Sequence, residues 1–294
     1  MATINIDNYA GFCWGVVQTI DKVEDTLLHN SDRNVYVLGE IIHNPKEIER
    51  LSGNGLQSID YEQLATISPD DSIVVIRAHG EPPSTYNAID DLHIPLIDAT
   101  CPLVMRLQDK LRNYYQQHWQ IVILGKYDHA EVLGLRGVCN DECIVIRTAE
   151  DMINNIDYSR NTILCSQTTM NQDTLLSIYE QVSDIFEERK SNDSILKLEN
   201  TVCKFMINRE RKLQQFAEHN DLVLFVASSH SSNGKVLYTI CSDANPNTYF
   251  IENIDEVDIS LLKNATNIGI TGATSTPMWL LEEIATGVNN LLNN

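Results

Sequence analysis

No run of the 294 residues approaches the length of a membrane span; the longest apolar stretches, such as DLVLFVA at 221–227, suit buried strands. The opening segment MATINIDNYAGF has neither the basic nor the apolar region of a secretory leader, so the chain is expected to be cytoplasmic, with no membrane partner. Positive charge is scarce. Lys and Arg number 21 against 41 Asp and Glu, a net charge of −20. That argues against nucleic acid as the main partner, because phosphate backbones need a basic face. An anionic small molecule would have to be held locally, by helix N-termini and histidines. Glycine and proline number only 13 and 8 and nowhere gather into a linker, and no low-complexity tract or close repeat marks a boundary. Walker A, GxGxxG and GxSxG patterns are absent, which removes the P-loop, the common dinucleotide fingerprint and the nucleophile elbow. CxxC pairs and the CxxxCxxC cluster pattern are absent too.

What is present is alternation. Short β-rich runs such as NVYVLG, SIVVIRA, QIVILG, TILCSQ and NIGITGA are interleaved with helical patterns such as GVVQTIDKVEDTLLHN, LVMRLQDKLRNYYQQH and FMINRERKLQQFAEHN. This is the α/β pattern with mostly parallel sheets, in more than one lobe at this length. Function in such folds sits on the loops leaving the C-terminal ends of the strands.

Seven cysteines are present: Cys13, Cys101, Cys139, Cys143, Cys165, Cys203 and Cys241. An odd count without a leader does not read as a disulfide framework, so a special cysteine is expected to be a metal ligand, a nucleophile or a redox thiol. Cys13 stands between Gly11 and Gly15 just before a helical pattern, where a thiolate that binds something gains a bare, close backbone. Cys101 precedes Pro102, a residue favoured in the first helical turn, and this puts its sulfur at the positive end of a helix, where a thiolate is stabilised. Cys203 also opens a helical pattern. The three lie 88 and 102 residues apart, a spacing that would give one cysteine to each of three lobes around a shared centre. The ordinary reading of any one of them is a small buried hydrophobe. The pair in CNDEC, Cys139 and Cys143, lacks a second pair or a histidine at ligand spacing and reads as structural.

Polar loops follow the apolar strands. His43 lies in IIHNPKE, His79 in IRAHGEPP, and His129 with Glu131 in GKYDHAEVLG. Gln167, Thr168 and Thr169 lie in CSQTTM; Ser231, Ser232 and Asn233 in SSHSSNGK; Thr274, Ser275 and Thr276 in GATSTP. Hydroxyls, amides and backbone N–H groups at helix starts suit phosphate oxygens, and they equally suit helix capping. Three thiolates could hold three corners of a cubane iron–sulfur cluster, leaving one iron open for a substrate oxygen while a nearby carboxylic acid protonates a leaving hydroxyl.

The motifs GFCWGV, EIIHN, AHG, DATCPLV, HAEVLG, QTT, NTVC with NRE, SSNGK and GATSTP occur in one order over residues 8–282. On them the sequence resembles the 4-hydroxy-3-methylbut-2-enyl diphosphate reductase family, the last step of the non-mevalonate isoprenoid pathway. The resemblance implies an α/β fold of three similar α/β lobes arranged with pseudo-threefold symmetry around a central iron–sulfur cluster. It implies a first lobe at 1–100, with 283–294 as a candidate to pack on it, a second at 101–198 and a third at 199–282. It implies a 4Fe-4S cluster on Cys13, Cys101 and Cys203 with one open iron site. His43, His79, His129, Ser231, Ser232, Asn233 and Ser275 match positions that bind the diphosphate or line the pocket. Glu131 matches the proton-delivering acid and Thr168 the hydroxyl between it and the substrate alcohol. The implied reaction is reductive dehydroxylation of an allylic diphosphate, with electrons from a ferredoxin, a flavodoxin or a similar carrier.

Two places depart from the family pattern: Trp14 after Cys13, and Lys204, Phe205 and Met206 after Cys203, where small or hydroxyl residues are common. Met206 is expected to remove a polar contact near the substrate. Two rivals share the same residues. A hydro-lyase could use an open iron as a Lewis acid without net electrons, and would turn over without reductant. A non-catalytic cluster sensor would need neither Glu131 nor Thr168, and would be expected to carry a basic DNA-binding element that a chain of net charge −20 does not offer.

Overall fold

β-branched and leucine-rich pentapeptides such as SIVVI, QIVIL, TILCS and LVLFV are buried along their whole length, as central strands of parallel sheets covered on both faces must be. The computed structural model describes residues 2–191, 193–263 and 265–293, apart from the side chain of Ser232. In chain order the elements are β1 (Thr3–Ile6), α1 (Trp14–His29), β2 (Asn34–Leu38), α2 (Pro45–Gly53), β3 (Leu56–Ile59), α3 (Tyr61–Leu64), β4 (Ser72–Ile76), α4 (Pro83–Asp91) and β5 (Leu96–Asp98). Then come α5 (Pro102–Gln116), β6 (Gln120–Leu124), α6 (Ala130–Gly137), β7 (Cys143–Ile146), α7 (Ala149–Asn155), β8 (Thr162–Ser166), α8 (Gln172–Arg189) and β9 (Leu196–Leu198). The chain ends with α9 (Lys204–Glu218), β10 (Leu222–Val226), α10 (Ser232–Ala244), β11 (Thr248–Ile251), α11 (Ile259–Leu262), β12 (Asn267–Gly272) and α12 (Met278–Asn293).

The strands make three four-stranded sheets, β3-β2-β4-β5, β7-β6-β8-β9 and β11-β10-β12-β1. The described ladders are parallel. Written this way the three orders are one order. The first strand is central, the second flanks it, the third lies on its other side, and the fourth is the outer edge. In the last sheet that fourth strand is β1, supplied from the start of the chain, so three α/β lobes share one topology. The structure thus finds residues 3–6 pairing with Asn267–Ile270. The reason is register: TINI alternates polar and apolar residues, as an edge strand half covered by α12 requires.

By packing, the chain forms two compact units. One comprises Met1–Leu28, Glu40–Gln57 and Phe205–Asn294; the other comprises His29–Gly39 and Ser58–Lys204. The first has a core of Leu224, Val226, Ile268, Ile270, Leu281 and Ile284. A buried ion pair ties β1 to α9 in it. Arg209 donates to Asp7 at 2.7 Å and to Thr271 Oγ1 at 2.6 Å, and both charged side chains are nearly inaccessible. The second unit has one core under β4 and another under β6 and β8, including Ile121, Ile123, Leu135, Cys139 and Cys165.

Candidate functional site

In each lobe the strand order switches between the first and third strands, and the C-terminal ends of these two strands, termed the crevice of that lobe, are where α/β sheets bind ligands. In the β6/β8 crevice, His129 caps α6. Its Nδ1 accepts the Glu131 N–H at 3.1 Å, so the ring fixes the first turn that carries the acid. Glu131 is 2 % exposed. Its Oε1 accepts the Thr168 N–H at 2.6 Å and its Oε2 accepts the Thr168 hydroxyl at 2.8 Å. Burial pushes the carboxyl up to about 7, and the two Thr168 hydrogen bonds hold it from rising further. α6 can approach the His79 loop closely because Gly137 has no Cβ; one placed there would lie 2.3 Å from Pro82 Cβ. The His79 and His129 rings meet edge to face at 5.3 Å.

Cys101 and Cys203 arrive at this crevice by the same route. Each follows the fourth strand of a sheet and immediately precedes a helix, α5 or α9. Each anchors its amide on the loop after a third strand: Cys101 N–H to Ala78 O at 3.0 Å, Cys203 N–H to Thr168 O at 2.8 Å. Cys101 takes the N-cap position of α5 without a side-chain capping hydrogen bond, and the N–H groups of Leu103 and Val104 favour its thiolate. The expected stabilisation of its thiolate by the helix start is present but outweighed. Burial comes first and raises its pKa, the two N–H groups offset only part of that, and the nearby Cys203 and Glu131 add to the rise. Cys13 follows β1 and precedes α1, the equivalent place in the third topology. Gly11 supplies the turn before it, at φ +94, where a side chain would be strained.

The other expected ligands lie in the first unit. Ser231 caps α10 by accepting the Gly234 N–H at 3.0 Å, and its hydroxyl meets that of Ser275 at 3.2 Å across the β10/β12 crevice. Capping and ligand-ready hydroxyls therefore coexist in one loop. Asn233 follows one residue into the helix; its amide reaches Met206 Sδ at 3.0 Å, leaving its Oδ1 buried without a hydrogen bond. Ser232 opens α10, but its side chain lies outside the described residues. His43 pairs with Glu40 at 3.2 Å just before α2. α2 is fixed in turn by Glu47, which is fully buried and accepts Trp279 Nε1–H at 2.9 Å.

A family model described as LytB protein matches residues 4–289. The chain belongs to the LytB family. It is 41% identical to the 4-hydroxy-3-methylbut-2-enyl diphosphate reductase of Chloroherpeton thalassium, with 96% of this chain and 95% of that one covered. The reductase of the same name from Bacteroides fragilis is 41% identical over 98% of both. Among solved structures, an (E)-4-hydroxy-3-methyl-but-2-enyl diphosphate reductase, the terminal enzyme of the non-mevalonate pathway, superposes with a TM-score of 0.73 at 29% identity, covering 99% of this chain and 100% of that one. The E-1-hydroxy-2-methyl-but-2-enyl-4-diphosphate reductase of Plasmodium falciparum gives a TM-score of 0.83 at 26% identity, covering 100% of this chain and 88% of that one. Family members thus share this fold over essentially the whole chain.

Sequence reasoning assigned no role to Glu40, Glu47 or Arg209, although Glu40 and Arg209 fall within the EIIHN and NRE motifs. Glu47 and Arg209 are buried, and a buried carboxylate or guanidinium has no sequence signal until its partner is known.

Proposed function

We propose that this chain is a reductase that converts 4-hydroxy-3-methylbut-2-enyl diphosphate to isopentenyl diphosphate and dimethylallyl diphosphate. The reading rests on the family and on one observation: a fully buried glutamate, hydrogen-bonded twice to Thr168, in a crevice that also receives two cysteines. The donor set fits an iron–sulfur centre. A buried thiol at a helix start, with a second cysteine close enough to disfavour its thiolate, is what a cationic centre would relieve. In the division at residues 100 and 198, each lobe gives one ligand: Cys13, Cys101 and Cys203. A 4Fe-4S cluster on them, with one iron free of protein, would supply electrons and a Lewis-acidic position.

The chain's own residues do the rest. With its carboxyl near 7, Glu131 keeps a substantial protonated fraction at neutral pH and can release that proton to a departing hydroxyl. Thr168 fixes both carboxylate oxygens, so the proton is aimed rather than free. The Ser231 and Ser275 hydroxyls, the α10 N-terminus and the histidines His43, His79 and His129 are suited to the diphosphate. Met206 does more than delete a polar contact: it parks the Asn233 amide on a weak acceptor, from which a phosphate oxygen can take it. An external electron carrier completes the reaction.

Glu131→Gln tests the reading. The variant is expected to keep iron, sulfide and substrate affinity while turnover with a chemical reductant falls about a hundredfold or more. Turnover equal to wild type would remove Glu131 from proton delivery. Turnover of the wild type without any reductant would replace the reductase with a hydro-lyase.

A further inference from the structure

We infer that the exposed aromatic and basic surface around Tyr9, Trp14, Phe205 and Lys212 is the docking face for a small acidic electron-carrier protein. The inference rests on the reductase reading, in which an external carrier supplies the electrons.

Trp14 directly follows Cys13, yet it is 55 % exposed, and Tyr9 on the same loop is 56 % exposed. Phe205, two residues past Cys203, is exposed as well. Aromatic side chains standing in water beside two proposed cluster ligands cost solvation energy that a partner would recover. Phe205, Asn208 and Lys212 stand at i, i+3 and i+7, one stripe along α9, with the exposed Arg211 beside it. The Lys212 ammonium lies 4.6 Å over the Tyr9 ring, which joins that stripe to the Cys13 loop. The Gly11 backbone lies against the half-exposed Met278, which extends the apolar part. No carboxylate interrupts the α9 stripe, and the exposed acids of α1 begin only at Asp21, two turns beyond Trp14.

Charge selects the occupant. A chain of net charge −20 repels an acidic partner almost everywhere, so a local cationic and aromatic patch sets both the place and the orientation of encounter. An anionic membrane is a poorer match, since its plane would meet the repelling surface around so small a patch. Aromatic residues and arginine are also the residues most enriched at protein interfaces.

The test uses cluster-loaded protein handled without oxygen and an acidic ferredoxin as probe. Its Kd is measured by calorimetry at low and at physiological salt for wild type, Trp14→Ala and Lys212→Gln. Each variant is expected to weaken binding about tenfold, and Lys212→Gln to flatten the salt dependence. Ferredoxin-driven turnover should fall in parallel, while turnover with reduced methyl viologen stays within about twofold of wild type. An unchanged Kd in both variants overturns the proposal. So does sedimentation of wild type with phosphatidylserine vesicles that either substitution abolishes, which would reassign the face to lipid. If wild type shows no dye-driven turnover, the reductase reading fails by itself, and the Kd comparison still judges the surface.

Discussion

At the helix that follows the central strand, the β6/β8 lobe places His129 and Glu131, and the β10/β12 lobe places Ser231 and Asn233. The backbone positions are the same: N-cap and second helical residue. Each cap satisfies the first helical turn, His129 through Nδ1 and Ser231 through Oγ. The chemistry differs because the next layer differs. Across the first crevice Thr168 gives an amide and a hydroxyl to a buried carboxylate; across the second, Ser275 gives only a hydroxyl to a hydroxyl. One plan thus makes an acid in one lobe and a neutral cradle in another. A shared topology fixes where functional side chains stand; the residue type at each position and its burial decide protonation, and the facing loop moderates it.

The comparison breaks most visibly at the cysteines. Cys203→Ser should abolish the visible absorption and the iron content of anaerobically prepared protein, and with them all turnover. Cys139→Ser, in the buried core behind α6, should keep both. Iron and sulfide analysis decides, and cluster loss in the Cys139 variant would reverse the ligand assignment. Next in size is the buried pair at the foot of β1. Asp7→Ala leaves Arg209 charged and enclosed, and should cost about 3–5 kcal/mol in urea unfolding. A much smaller loss would mean that Thr271 and the Gly272 carbonyl suffice for the guanidinium.

The pH dependence separates the two crevices. Glu131 is held near 7, above the 4.5 of an ordinary glutamate, so the folded state prefers it protonated. Its contribution to stability is full below about 4.5 and is lost as pH rises through about 7. Thermal unfolding of metal-free protein should therefore show wild type losing stability relative to Glu131→Gln across that window. Turnover should decline above about 7 for the same reason. Flat profiles for both would place the acid elsewhere. The smallest effect is expected in the neutral cradle: Ser231→Ala should raise KM about tenfold with kcat within about threefold, and cost about 1 kcal/mol through the lost cap. A kcat loss as deep as that of Glu131→Gln would erase the distinction between the lobes.

Much of this was legible beforehand. The long central strands and α1, α5, α8, α9 and α12 stand out because their periodicity is strong and their length sufficient. The edge strands β1, β3 and β9 did not, being short and alternating, and neither did α2, α6 and α10, whose first turns read as polar loops. Glycine on both sides of Cys13 had one explanation in the sequence and has two in the fold: Gly11 makes the turn, while Gly15 is already helical.

The order of residues by itself determined the α/β class, the recurrence of a cysteine at a helix start, and the polar loops after the strands, because these depend on local pattern and backbone preference. Only the tertiary structure decided that β1 completes the last sheet, that Glu131 is buried against Thr168 and carries a proton near neutrality, and that Cys101 gains less from its helix than it loses to burial. Desolvation and the identity of a facing side chain arise between segments far apart in the chain, where no local pattern records them.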